Sequence, residues 1–171
     1  MTTRILNDVN IVAVGDLVEA IQEESEKAQT VWRSSVEWKG GFRSVATVRD
    51  FAPVQSDEPF GLGGDDTAAN PVEQLLSALG NCLAVGYAAN ATVLGIELRD
   101  VKIDLEGSLD LHTFLGLNAE GNAGFESIRV AVSLDSDAPR EQLEALHQAV
   151  VGTSPVGHTV SRPVPVAVEL A

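Results

Sequence analysis

The segment from residue 71 to about residue 94 constrains the fold most strongly, because it predicts a long helix that is apolar on nearly every face. Asn70 suits the N-cap, Pro71 the first helical position and Glu73 the third, which together predict a capping box. Small residues would let a neighbouring helix or sheet approach closely, namely Gly80, Ala84, Gly86, Ala88 and Ala89. The few predicted strands do not cover such a helix, so we expect a second copy of the chain to bury part of it.

Four segments have the alternating or β-branched composition of antiparallel strands. They are residues 31–38, 43–51, 101–111 and 125–134. The first two flank Gly40 and Gly41, which predicts a hairpin. Residues 57–70 are rich in Gly, Asp and Pro, which predicts a loop that leads into the long helix.

A second helix is predicted between Asp137 and Gly152, on the apolar stripe of Leu143, Leu146 and Val150. Residues 164–170 alternate again and predict a last strand, which neighbouring prolines confine to an edge or an irregular position. The alternation in the predicted strands is typical of an antiparallel sheet with one face on a core and one in water.

Helical spacing over residues 11–30, followed by an acidic run, predicts a peripheral helical segment at the N-terminus. We expect residues 1–30 to form this segment and residues 31–171 to form one domain.

Charge and composition exclude several classes of function. The chain has 11 Lys+Arg against 25 Asp+Glu, and no basic cluster stands out, so neither nucleic acid nor an anionic membrane surface is an expected partner. No apolar run reaches the length of a membrane span, and no signal-like segment opens the sequence, which favours a cytoplasmic location. The three histidines lack ligand spacing, so we expect no metal. The sequence has neither a phosphate-cradling glycine loop nor a dinucleotide fingerprint, so we expect no other cofactor.

Cys82 is the only cysteine, and it lies on the long helix. By residue type alone, a lone cysteine on an apolar helix is more often a packing residue than a reactive one. Both interpretations stay open on composition.

Three groups of residues resemble the OsmC/Ohr family: Gly63 to Asp65 with residues 70–83, Gly107 on a strand, and Ser154-Pro155-Val156 after the second helix. The resemblance covers residue 31 to the C-terminus and identifies a single-cysteine variant. It implies an α+β fold of the OsmC type, an intertwined homodimer in which curved antiparallel β-sheets wrap around two central helices. It also implies a thiol peroxidase that reduces organic hydroperoxides, with Cys82 as the nucleophile and an apolar hydroperoxide or other hydrophobic ligand in the pocket.

The reactive form of such a cysteine is the thiolate, which a nearby arginine favours. Arg43 and Arg49 are the candidates, and Arg43 is preferred because it follows the Gly-Gly turn as the family's arginine does. Their even separation on an extended segment predicts that both face the same side, too far apart to serve one thiol together. An ordinary exposed strand arginine is the alternative for each. We also expect Leu79, Phe51 and His158 near the ligand.

Two departures from the family pattern weaken the peroxidase interpretation. Ser154 occupies the position of the second cysteine, so turnover would need an external thiol reductant. Val72 occupies the position of the family's glutamate, and Glu73 follows one residue later, where the capping box is the preferred role over catalysis. The alternative function is a non-catalytic small-molecule binding or redox-sensing dimer with the same fold.

Overall fold

The computed structural model describes residues 5–170. The chain divides into two compact units. One consists of Val12–Leu75, and the other joins the segment that ends at Ile11 to Leu76–Ala171. The predicted division at residue 30 remains a prediction.

The unit 12–75 contains most of helix α1 and a three-stranded antiparallel sheet in the order β1, β2, β3. The elements are α1 (Ile11–Glu23), β1 (Ser35–Trp38), β2 (Ser44–Thr47) and β3 (Val54–Ser56). The predicted N-terminal helix and the hairpin are therefore confirmed. β3 has only three residues, too few for alternation to reveal it.

A loop joins β3 to the long helix, as the sequence predicted, and the buried Asp57 carboxylate organises it. This carboxylate accepts hydrogen bonds from the backbone N–H groups of Glu58, Asp65 and Thr67 and from the Thr67 hydroxyl. The Thr67 hydroxyl is the main cause that lowers the pKa of Asp57, and the backbone donors lower it further. Asp57 thus fixes a loop that has little regular structure.

The long helix α2 (Pro71–Val93) begins with the predicted capping box. The Asn70 N–H donates to the Glu73 carboxylate at 2.9 Å, and the Glu73 N–H donates to Asn70 Oδ1 at 3.0 Å. The reciprocal pair satisfies two backbone donors at the helix start. It explains why the helix begins where the sequence indicated.

The unit that contains residues 76–171 pairs a two-stranded antiparallel sheet with helices. Its further elements are β4 (Asp100–Leu109), α3 (Leu111–Phe114), β5 (Phe125–Asp135), α4 (Arg140–Thr153) and α5 (Pro155–Ser161). β4 and β5 match the predicted strands, and α4 matches the predicted second helix. The short helices α3 and α5 were not predicted.

The core of this unit lies between α2, α4 and the inward face of the sheet. Its buried hydrophobic residues are Leu79, Leu83, Tyr87, Ala91, Ile96, Leu146 and Val150. A Cβ added at Gly80 would lie 2.8 Å from Leu105 of β4, and one at Gly86 would lie 2.9 Å from Val150 of α4. The expectation that glycines allow close approach is therefore confirmed for both a sheet and a helix.

The predicted last strand over residues 164–170 is wrong, because this segment forms no regular structure in the part of the chain that is described. Pro163 and Pro165 have no N–H to donate to a ladder. The segment is exposed throughout, with Val168 91% exposed, so no neighbouring strand stabilises it.

Candidate functional site

Cys82 and Ser154 meet in the structure. Cys82 lies on α2 and is partly exposed, and Ser154 stands between α4 and α5 with only 5% of its surface accessible. Cys82 Sγ and Ser154 Oγ are 3.3 Å apart. The residue in place of the family's second cysteine is thus a direct neighbour of the candidate nucleophile.

Ser154 is held in place by α5, of which it is the N-cap. The Gly157 N–H donates to Ser154 Oγ at 3.0 Å, and the His158 N–H donates to the Ser154 carbonyl at 2.9 Å. Pro155 at the first helical position suits this helix start. These contacts therefore hold the Ser154 hydroxyl oxygen beside the sulfur.

A pocket of about 410 Å³ opens beside the sulfur. Its lining residues are Asn81, Cys82, Val85, Gly86, Ala89, Val150, Thr153, Ser154 and Pro155. None of these side chains is charged, and most are apolar, so the pocket suits a neutral, largely apolar group. Of these residues, the sequence pattern predicts only Cys82 and Ser154 as site residues. Helical periodicity could have added Val85, Gly86 and Ala89, which share the Cys82 face of α2.

Both candidate arginines belong to the unit 12–75, whereas Cys82 belongs to the other unit. Arg43 precedes β2 and forms an ion pair with Asp65. Arg49 lies beyond the end of β2 with a positive φ of 50°, and its guanidinium carbon is 4.4 Å from the Phe51 ring centroid. Because β2 ends at Thr47, strand alternation does not extend to Arg49, and the argument from even separation is wrong. Their roles remain predictions.

The other candidates have local partners. Glu73 takes part in the capping box, and Leu79 is a buried core residue. Phe51 is 61% exposed. His158 lies on α5, where its Nε2 is 3.4 Å from the Arg162 guanidinium. Among residues 5–170, no group of three or more His, Cys, Asp or Glu side chains is arranged to hold a metal ion.

The fold and the site define an α+β protein with a single thiol in an uncharged pocket on a long helix. The family model described as OsmC-like protein matches residues 63–169, which is more than half of the chain. The chain belongs to the OsmC-like family.

Solved structures show the same fold. An OsmC-like protein from Mycoplasma pneumoniae has a TM-score of 0.68 and 16% identity, covering 78% of this chain and 89% of its own. An organic hydroperoxide resistance protein OsmC from Legionella pneumophila has a TM-score of 0.56 and 22% identity, covering 77% and 91%. A putative organic hydroperoxide resistance protein from Vibrio cholerae, with captopril bound in one of its active sites, has a TM-score of 0.58 and 19% identity, covering 78% and 87%.

A search of curated proteins finds no match. Among the described residues, no helix combines the length and apolar character that crossing a membrane requires.

Proposed function

We propose that this protein is a thiol-dependent peroxidase that reduces organic hydroperoxides through Cys82. The observation that carries the proposal is the placement of the Cys82 sulfur at an uncharged pocket of about 410 Å³, with a fixed hydroxyl 3.3 Å away. A packing cysteine needs neither a pocket nor a polar partner. Family membership, and the description of two structural relatives as organic hydroperoxide resistance proteins, support the same chemistry.

In the proposed reaction, the Cys82 thiolate attacks the terminal oxygen of a hydroperoxide ROOH. An S–O bond forms, the O–O bond breaks, and Cys82 becomes a sulfenic acid while RO⁻ leaves and takes a proton to give the alcohol. We propose that the Arg43 guanidinium stabilises the negative charge of the thiolate and of the departing alkoxide, with Arg49 as the second candidate for this role. This assignment rests on the resemblance. Because the Glu73 carboxylate takes part in the capping box, we propose no catalytic role for it.

Recycling needs a thiol from outside the chain, because the chain has one cysteine. A first thiol R′SH would condense with the sulfenic acid to a mixed disulfide and water. A second would release R′SSR′ and restore the Cys82 thiol. Two electrons therefore pass from two external thiols to each hydroperoxide.

We also propose that the chain acts as a homodimer, in the cytoplasm. Every residue of the unit 12–75 is described, and none of its hydrophobic side chains is buried. On β1, Val36 is 64% exposed and Trp38 is 75% exposed. Apolar strand residues of this kind favour cover by another surface, which a second copy would supply.

The test is consumption of cumene hydroperoxide by the purified protein, with dithiothreitol, dihydrolipoamide or the thioredoxin system as reductant. We expect at least one reductant to sustain turnover, and Cys82→Ser to reduce the rate to that of buffer with reductant. Equal slow rates for the two proteins would contradict the proposal.

A second candidate, a ligand-binding or redox-sensing dimer, is favoured by Ser154, since the oxidised Cys82 has no internal thiol to resolve it. One equivalent of hydroperoxide, followed by dimedone and mass spectrometry, separates the candidates. A stoichiometric Cys82 adduct without turnover indicates a sensor. Turnover indicates the peroxidase, and an unmodified chain indicates an inert thiol.

A further inference from the structure

We propose that Ser154 is the hydrogen-bond donor that stabilises the Cys82 thiolate, so that the residue which replaces a second thiol activates the first. The inference rests on the proposed function in that it takes Cys82 as the reactive group. It goes further by assigning a catalytic role to the Ser154 hydroxyl, which touches the reacting sulfur.

The direction of the hydrogen bond follows from the other partner of the hydroxyl. A serine hydroxyl has one hydrogen to donate and two lone pairs to accept with. The Gly157 N–H is a donor, so Ser154 Oγ accepts at that contact, and its own hydrogen stays available. A thiolate has no hydrogen, so once Cys82 ionises the bond across 3.3 Å runs from Ser154 Oγ to Sγ.

The surroundings of Ser154 hold the donor at the sulfur. The side chain is only 5% exposed, so bulk water competes weakly for its hydrogen. A Cβ at Gly157 would lie 2.9 Å from Ser154 Oγ and 3.1 Å from its Cβ. Glycine at 157 thus leaves the room that the hydroxyl occupies. A hydroxyl fixed in this way costs little reorganisation when charge develops on the sulfur.

Ser154 cannot resolve an oxidised Cys82, although it occupies the position of the family's second cysteine. An oxygen in place of sulfur cannot condense with a sulfenic acid to a disulfide. The site keeps a neighbour that favours the anion, while the pocket beside it stays open to an external thiol.

The experiment is the pH profile of Cys82 alkylation by iodoacetamide, in which the thiolate forms an S–C bond and iodide leaves. For Ser154→Ala we expect the midpoint of the profile to move up by about one pH unit, so that the rate below the midpoint falls about tenfold. Ser154→Thr, which keeps both hydroxyl and cap, should restore the profile of the natural sequence.

Loss of the helix cap is separated from loss of the donor by Ser154→Asp. Aspartate is a good N-cap, but its carboxylate donates no hydrogen bond and repels a thiolate. We expect Ser154→Asp to have the circular dichroism spectrum of the natural protein. The midpoint of its alkylation profile should be at least as high as that of Ser154→Ala. Thr159→Ala is the matched control, because Thr159 is an exposed residue of α5 outside the pocket lining and its hydroxyl donates to the Pro155 carbonyl. Its profile should not move.

Superimposable profiles for the natural protein, Ser154→Ala and Ser154→Asp would overturn the inference. Alkylation involves no hydroperoxide, so the profiles report on Ser154 even if hydroperoxide is not consumed. Failure of the proposed function therefore shows up in the turnover assay alone.

Discussion

At the scale of single residues, the contact of Cys82 with Ser154 makes a direct prediction about a second thiol. In Ser154→Cys, two sulfur atoms would face each other at about the present separation of 3.3 Å, close enough for small side-chain rotations to join them. We expect one equivalent of hydroperoxide to give an internal disulfide, seen as the loss of two hydrogens by mass spectrometry. A persistent dimedone adduct in this variant would show that the side chains do not meet in solution.

Tyr87 carries a second prediction at this scale. Its side chain is fully buried, and burial raises the pKa of Tyr87 above its ordinary value of 10.0. The folded state therefore favours the neutral phenol, and the stability this contributes is present below pH 10.0 and lost as the pH rises through the higher folded value.

The Tyr87 hydroxyl also forms a hydrogen bond with His147 of α4. Tyr87→Phe should lower the free energy of unfolding by about 1 kcal/mol at neutral pH. The substitution should also remove part of the decline in the free energy of unfolding at alkaline pH. Urea unfolding between about pH 8 and pH 11 measures both effects. If the free energy of unfolding declines equally with pH in the natural protein and in Tyr87→Phe, the predicted effect at alkaline pH is contradicted.

At the scale of elements, α4 contributes to the core mainly through Leu146, which has no exposed surface. We expect Leu146→Ala to lower the free energy of unfolding by about 2–5 kcal/mol, because a cavity is left beside α2 and the sheet. Gln148→Ala, an exposed position on the same helix, is the control and should change stability by less than about 0.5 kcal/mol. Similar losses in both variants would mean that helix propensity rather than packing is measured.

The loop after β3 responds to acid through Asp57. Hydrogen bonds hold the pKa of Asp57 below its ordinary value of 3.8, so the carboxylate stabilises the fold above that pH. This contribution is lost as the pH falls through the folded value. Asp57→Asn should be less stable at neutral pH and should show a smaller dependence on pH below about 4. Acid unfolding followed by tryptophan fluorescence measures this dependence. The same loss of stability below about pH 4 in both proteins would contradict the prediction.

Local patterns in the sequence predict most of these elements. The capping box at Asn70 and Glu73 marks the start of α2, and strict alternation marks β4 and β5. Prediction fails where stability depends on something outside the segment. Residues 164–170 alternate like a strand, but the two prolines remove donors and no paired strand is present. In the site, the sequence gives the identities of Cys82 and Ser154, while only the packing of α2 against α4 gives their distance of 3.3 Å.

At the scale of the whole molecule, the exposed apolar side chains of β1 predict association. Light scattering at micromolar concentration should give the mass of a dimer. Val36→Asp should weaken the dimer, because it places a charge on an apolar surface that is 64% exposed in the single chain. Glu37→Gln on the same strand is the control and should leave the mass unchanged. A monomer for the natural sequence would contradict the homodimer.

The exposed segment at residues 163–170 has a consequence for aggregation. Pro163 and Pro165 are two residues apart, so in an extended chain both missing N–H groups lie on the same edge. On that edge only Ala167 and Glu169 keep an N–H donor, whereas Val164, Val166, Val168 and Leu170 donate along the other edge. Pairing along the proline edge therefore loses two hydrogen bonds, which disfavours the stacking of further chains on this apolar stretch.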